Sequence, residues 1–482
     1  MAYITADRKQ SLLFPPSLDD YVPTTDPVHA YDTFLDQIDL NDIGIIIDNN
    51  QIGPPEFHPR LMLKLLVYGY SYGIRSSRKL ERALHHNLSF IWLLGDLKPD
   101  HKTIARFRRA HREALSKVLK QCVRLCLKLN LIEGNTFFVD GTKIKANASV
   151  DHAWNEKRCQ DLLKHADQRI EQILKDIEEI DQQEEHQESL VQMKKDLHNK
   201  QTLKERVSTI LVQLKKENRD ALNTTDLDCA KVKDKQSFVA GYNVQNVIDD
   251  QQGLIVHNDV VPEANDSEQF STQVIQANNN IGGTCSTACA DAGYANTQIQ
   301  KEVDDQNILV VVPSQRQALK EPPGPFSKDK FLYDSTRDCY ICPQGEILNY
   351  VHQDKVARRY QVRSGACSTC VHLGRCTSSP HGRIIGRLHL ETQKEKFEKQ
   401  YQQNRHIFQR RKEKAEHPFG HIKRNLGVQS FLLRGLKGVK AEAGLLAVAF
   451  NLTRIINILG VAGFMLKLGD LQKPSSWACA PT

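Results

Sequence analysis

Residues 135–149, NTFFVDGTKIKANAS, decide the fold. Phe137, Phe138 and Val139 make a short apolar run that Asp140 and Gly141 close. A run of that kind is a strand buried on both faces, here with an acid at its end. Four further runs follow in 238–247 (FVAGYNVQNV), 254–261 (LIVHNDVV), 284–290 (TCSTACA) and 308–312 (ILVVV), separated by turns or helical stretches. Together they set the fold class as α/β, with a core of about five strands.

Working outward, residues 1–30 read as an irregular lead-in. Residues 58–130 read as several helices: Leu61, Leu65, Tyr68 and Tyr72 recur at helical spacing, and Gly69 and Gly73 permit close packing or a bend. Arg106, Arg108, Arg109 and Arg112 could meet phosphate or lie as ordinary surface charge. Residues 151–222 interrupt the core. Leu163, Ala166, Ile170, Ile173, Ile177 and Ile180 alternate steps of three and four, as do Leu190, Met193 and Leu197, and Val207, Ile210 and Leu214. That is the seam of an inserted helical hairpin or coiled coil. A second interruption, 314–400, carries cysteines. A long basic helix follows from about 404 to 424, bent near Pro418, and then an apolar helical region and a tail at 467–482. The expected segments are thus 1–130, 131–313 with its insertion at 151–222, 314–400, 401–466 and 467–482.

The chain has 482 residues, 40% hydrophobic and 26% charged, which excludes fibrous and wholly disordered classes. The N-terminus lacks the pattern of a signal peptide, and the apolar run 455–466 falls short of the ~20 residues of a membrane span. A soluble, cytoplasmic protein with no membrane partner is the expectation. Net charge is only +7, but residues 401–440 hold ten Lys or Arg against two Glu. Such a block suits nucleic acid, or else a solvated helix face. No Walker-type loop or dinucleotide fingerprint occurs, so no nucleotide cofactor is expected.

Three acids stand out by position: Asp140, Asp291 in CSTACADAGYAN, and Glu416 in RRKEKAEHPFGHIKRN. Acids beyond strand ends can converge on a cation, and carboxylates favour magnesium or manganese. An Asp there can equally be a turn former, and Glu416 an ion-pair partner of its neighbours. His417 and His421 beside it are expected to face DNA or solvent. Of twelve Cys, five (Cys339, Cys342, Cys367, Cys370 and Cys376) fall within 38 residues. Without a secretory signal that spacing points to a structural, zinc-ribbon-like metal site, the alternative being free thiols in a loop-rich insertion.

The segments VDGTKIKANAS, GYNVQNVID, ADAGYAN and AEHPFGHIKRNLG…FLLRGLKGVKAEAGLLAVAFNLTRI resemble those of bacterial insertion-sequence transposases with a DDE triad, of the eleven-eighty-two type within the IS-four superfamily. HPRLMLKLLVYGYSYGIRSSRKLE resembles their helical N-terminal region. The resemblance implies an RNase H-like core in which Asp140, Asp291 and Glu416 bind two Mg2+ or Mn2+ ions. It places Arg411, Lys412, Lys423 and Arg424 as DNA contacts and selects Cys342, Cys367, Cys370 and Cys376 as structural zinc ligands. It further implies cleavage at terminal inverted repeats, joining of a 3′-hydroxyl to target DNA, a homodimer in the synaptic complex, and a place in the bacterial cytoplasm at the nucleoid. A non-catalytic DNA-binding derivative and a metal-dependent nuclease without strand transfer are the rival readings.

Overall fold

A computed structural model of the chain describes residues 17–47, 56–181, 187–217, 219–234, 237–319, 324–379 and 381–472. It divides into two compact units. The first comprises 1–133, 141–265 and 416–482; the second comprises 134–140 and 266–415.

The first unit is built on helices. The expected irregular lead-in instead holds the helix Pro27–Asp36, because Asp26 accepts the Val28 N–H at 2.8 Å just ahead of a proline preset for a first helical turn. In the helix Pro59–Ser71, Leu65 and Tyr68 are buried but Tyr72, just past its end, is exposed, and the covered face widens to Met62, Leu63, Leu66, Val67 and Tyr70. It widens because a second apolar helix lies on it. That stretch, Leu436–Gln472, is helical on both sides of a kink at Gly460 (φ 68°, ψ 166°) and packs against Pro27–Asp36, Pro59–Ser71, Arg112–Lys128 and the strand Ile255–Val261. It corrects the reading of the apolar C-terminal run as too short: residues Leu436–Leu471 are long and apolar enough to cross a membrane by length and composition. Half of its most apolar window is buried inside the protein, which marks it as a core helix.

One acid anchors that helix. Glu442 is fully buried; its Oε1 accepts from Arg75 Nη1 at 2.6 Å, and its Oε2 accepts from the Leu432 and Leu433 N–H groups at 3.0 and 2.9 Å. Burial pushes its carboxyl upward, and the backbone donors and Arg75 pull it back. Further along the helix, Asn451 accepts the Ile255 N–H and donates to its carbonyl, at 2.8 and 2.9 Å, closing the start of a strand.

That strand, Ile255–Val261, runs antiparallel to the second half of Ser237–Asp249, whose first half pairs antiparallel with Ala230–Asp234. The second half of the strand Thr136–Lys145 also belongs to this unit. A Cβ on Gly241 would stand 2.8 Å from Ile144 O, so only glycine lets the two backbones approach there. Residues 151–222 contain the helices Glu156–Asp181 and Gln187–Glu217, packed on each other above the short antiparallel pair Ala153–Asn155 and Ala221–Asn223. Ala166, Ile173, Val207, Ile210 and Leu214 are buried between them, and Lys204–Asp167 bridges them at 2.6 Å. The side chains of Ile177, Ile180 and Leu190 lie outside the described residues.

In the second unit, Thr136–Phe138 pair in parallel with Thr287–Cys289, which pair in parallel with Leu309–Val311. The helices Phe270–Ile281, Thr297–Asp304 and Glu391–Gln403 accompany them. The cysteine region is not a loop-rich insertion. It forms a five-stranded antiparallel sheet, in the order Ile384–Leu388, Ala357–Val362, Ile347–Gln353, Cys339–Ile341 and Leu332–Asp334. Phe331, Tyr340, Leu348, Tyr360, Val362 and Ile385 make its core.

Replacing Glu442 with Ala strands the Arg75 guanidinium and two backbone donors in an apolar interior. The expected cost is about 3–5 kcal/mol in urea unfolding. A loss below about 1 kcal/mol would show that Glu442 is not an anchor.

Candidate active site and cysteine pocket

Asp140 does not end its strand. The strand Thr136–Lys145 runs on for five residues past it, so Asp140 projects from the strand interior with its side chain 14% exposed. Asp291 follows Thr287–Cys289 and caps the short turn Ala292–Tyr294, its Oδ1 accepting the Gly293 N–H at 2.8 Å. A Cβ on Gly293 would stand 2.9 Å from that oxygen, so glycine leaves the carboxylate room in its present position.

Both acids reach the same cation. Arg411 Nη2 donates to Asp140 Oδ1 at 2.9 Å and to Asp291 Oδ2 at 3.3 Å. The Arg411 side chain is 10% exposed, and its guanidinium lies 6.0 Å from the Phe408 ring centroid. Beside them Tyr294 is buried, and its hydroxyl is held well above the usual tyrosine range by burial and then by Asp266, Asp140 and Asp291, with Arg411 opposing. It therefore stays protonated and can donate a hydrogen bond. Asp266 and Tyr294 were not singled out in the sequence. Tyr294 sits inside ADAGYAN, but Asp266 lies in a polar stretch with no pattern of its own.

The third acid belongs to the first unit. Glu416 is exposed on the helix Arg405–Gly420, which contains Pro418 and passes into a π-helical turn at His421–Asn425. Seven residues after it, Lys423 donates to Thr142 Oγ1 at 2.6 Å and to Lys143 O at 3.0 Å. Two of the four cations assigned to DNA are thus engaged with protein: Arg411 with carboxylates and Lys423 with the strand. Lys412 and Arg424 are exposed. His417 and His421 both meet the Phe450 ring edge-on at 5.6 Å, and burial depresses both imidazoles, while His417 stays exposed and His421 is half-buried.

In the cysteine sheet, Cys342, Cys367, Cys370 and Cys376 line one cavity together with His372. Burial, with the other three thiols nearby, raises the Cys376 thiol. The Gln344 N–H donates to Cys342 Sγ at 3.3 Å, the kind of amide contact that stabilises a thiolate. Cys339 is buried in its strand and does not line this cavity. Among the described residues, no three Cys, His, Asp or Glu side chains already form a metal-holding group.

Carboxylates from neighbouring parallel strands that share one cation are the arrangement of acid-based phosphoryl-transfer enzymes. Comparison with known proteins carries this further. Residues 16–110 match the family model "Transposase domain (DUF772)" and residues 341–456 match "Transposase DDE domain". Both matches support a DDE-type transposase, an enzyme of phosphoryl transfer on DNA, as the class of this chain. No curated protein matches it. Among solved structures, the cryo-EM structure of a piggyBac transposase synaptic complex with hairpin DNA overlaps 94% of this chain and 83% of its own, at 9% identity and a TM-score of 0.33. That overlap is too loose to define a shared fold.

A divalent ion entering between Asp140 and Asp291 competes with a guanidinium already there. Arg411→Gln should therefore bind Mn2+ several-fold more tightly than the parent in a metal titration followed by electron paramagnetic resonance. Weaker binding would mean that Arg411 assembles the acids for metal and does not compete with it.

Proposed function

We propose that Asp140, Asp291 and Glu416 form the catalytic triad of a transposase of the eleven-eighty-two type, on an RNase H-like core, which cuts element ends at their inverted repeats and joins the 3′-hydroxyl to target DNA. The supporting observation is that Asp140 and Asp291, 151 residues apart in sequence, converge on one cationic nitrogen. Arg411 acts there as a stand-in cation, and hard carboxylate oxygens suit magnesium or manganese. Glu416 completes the set on the strength of the sequence resemblance.

Two divalent ions held by these acids would activate the attacking oxygen and stabilise the leaving one. The chain's own residues do the rest. The Tyr294 hydroxyl, held protonated, lies beside the acids. Exposed Lys412 and Arg424 offer charge to phosphate. Lys423 ties the helix of Glu416 to the strand just beyond Asp140, and so positions that helix. The helical N-terminal region, 1–130, holds terminal DNA, and two copies bring two ends together in the synaptic complex. Zinc in the pocket of Cys342, Cys367, Cys370 and Cys376 pins the antiparallel sheet, as four thiols suit a closed tetrahedral site.

Asp140→Ala, Asp291→Ala and Glu416→Ala should each lower Mg2+-dependent cleavage of terminal DNA by more than about a thousandfold, with DNA affinity kept within a few-fold. Full cleavage by Asp291→Ala would refute the triad. Cleavage without joining of the 3′ end to target would instead establish a nuclease. For the cysteine pocket, elemental analysis should find one zinc per chain, lost together with thermal stability in Cys367→Ser/Cys370→Ser. Equal metal content in parent and variant would place the zinc elsewhere.

A further inference from the structure

In the N-terminal region two helices, Ser77–His86 and His101–Ala110, carry matching stripes of charge. On the first, Arg78, Arg82 and His85 are exposed at positions i, i+4 and i+7. On the second, Lys102, Arg106 and Arg109 repeat the same spacing, also exposed. Residues so spaced share one helix face, and seven residues of helix extend it about 10 Å. The opposite faces are buried through Leu80 and Leu84 on one helix, and Ile104 and Phe107 on the other.

Two polar struts fix how the helices meet. Arg108, 6% exposed, donates through Nη1 to Arg75 O at 2.7 Å and through Nη2 to Ser77 Oγ. His101 Nδ1 meets Glu81 Oε2 at 2.8 Å. The start of the second helix therefore lies by the middle of the first, and its end by the start of the first, so the two run antiparallel. In each helix the stripe begins one residue beyond a strut: Arg78 and Arg82 after Ser77 and Glu81, Lys102 and Arg109 after His101 and Arg108. For antiparallel helices the same angular step carries both stripes to the same side of the pair.

The charges on that side are unbalanced. The second helix contains no acid, and the single acid of the first, Glu81, is taken by His101. Among the described residues Arg78, Lys79, Arg82, Arg106 and Arg109 have no ion-pair partner, so five cations within two adjoining helices stand without a protein counter-charge. Rows of unpaired arginines on a strutted scaffold fit a regular polyanion, whose bound counterions they displace.

We infer that this two-helix face is the surface on which duplex DNA docks, each stripe tracking phosphates of the backbone and none of the six residues reading bases. The identity of the polyanion rests on the DNA-transposase reading. The face sets affinity and register for any sequence, leaving end recognition to other residues.

The test is duplex binding by the full chain in EDTA, followed by fluorescence anisotropy between about 50 and 200 mM salt. Arg82→Gln/Arg106→Gln/Arg109→Gln should reduce the slope of log affinity against log salt by about 2–3, at roughly 0.9 for each phosphate no longer neutralised. Affinity should fall at least tenfold, equally for terminal-repeat and unrelated duplexes. Replacing the same three arginines by Lys should keep the slope. A control that removes equal charge from the inserted hairpin, Lys164→Gln/Lys194→Gln/Lys195→Gln, should leave it unchanged. An unaltered slope in the arginine triple, or an equal fall in the control, would overturn the docking face. Metal-dependent cleavage is scored separately: a parent chain that binds with the full slope yet never cuts would fail the catalytic assignment and leave this surface standing.

Discussion

Two carboxylates side by side repel each other and are steadied by a shared cation. Arg411 is that cation for Asp140 and Asp291, and neighbouring parts of the second unit serve the same pairing. The strand of Asp140 lies in parallel register with the strand that leads to Asp291, which brings the two acids level. Gly293 leaves room for the second carboxylate to fold back on its own turn. The basic helix contributes the guanidinium from its buried side, against Phe408, rather than from its solvent face. A preassembled pair of acids sharing one guanidinium thereby costs less in the absence of any ion than a pair of bare carboxylates would.

This arrangement also separates two kinds of arginine and lysine in a chain rich in both. Arg75, Arg108 and Arg411 are interior fittings, each making charge-assisted contacts to carbonyl, hydroxyl or carboxylate oxygens. Lys423 is of this kind as well, spent on Thr142 and a strand carbonyl. The cations left exposed either pair with surface acids, as Lys204 and Lys437 do, or keep their charge toward solvent.

What the sequence disclosed and what it hid follow from how local each determinant is. The run Phe137–Val139 announced a buried strand and an acid at its edge, since both properties belong to neighbouring residues. That the strand continues through Gly141 and Thr142 was hidden. Those residues read locally as a turn and are extended because the backbone at Gly241 closes on Ile144, about a hundred residues away. The destination of Arg411 was hidden for the same reason, its partners lying 271 and 120 residues distant. In the cysteine region the thiol spacing was legible, but the sheet was not. Its strands are as short as three residues and expose much of one face, so no apolar alternation marks them. Glu442 left no signal, because a single acid in an apolar helix looks like an interruption until its donors are seen.

That last residue has a bearing on how the chain is made. As it leaves the ribosome, the segment that becomes Leu436–Gln472 is, among the described residues, the one long and apolar enough to be mistaken for a membrane anchor. Lys440, Glu442 and Arg454 each raise the cost of entry into a bilayer, by up to about 2.5–3.5 kcal/mol for a charge at its centre. The acid that later locks the folded helix to Arg75 thus also discourages the nascent chain from misdelivery, before any of its partners has been brought near.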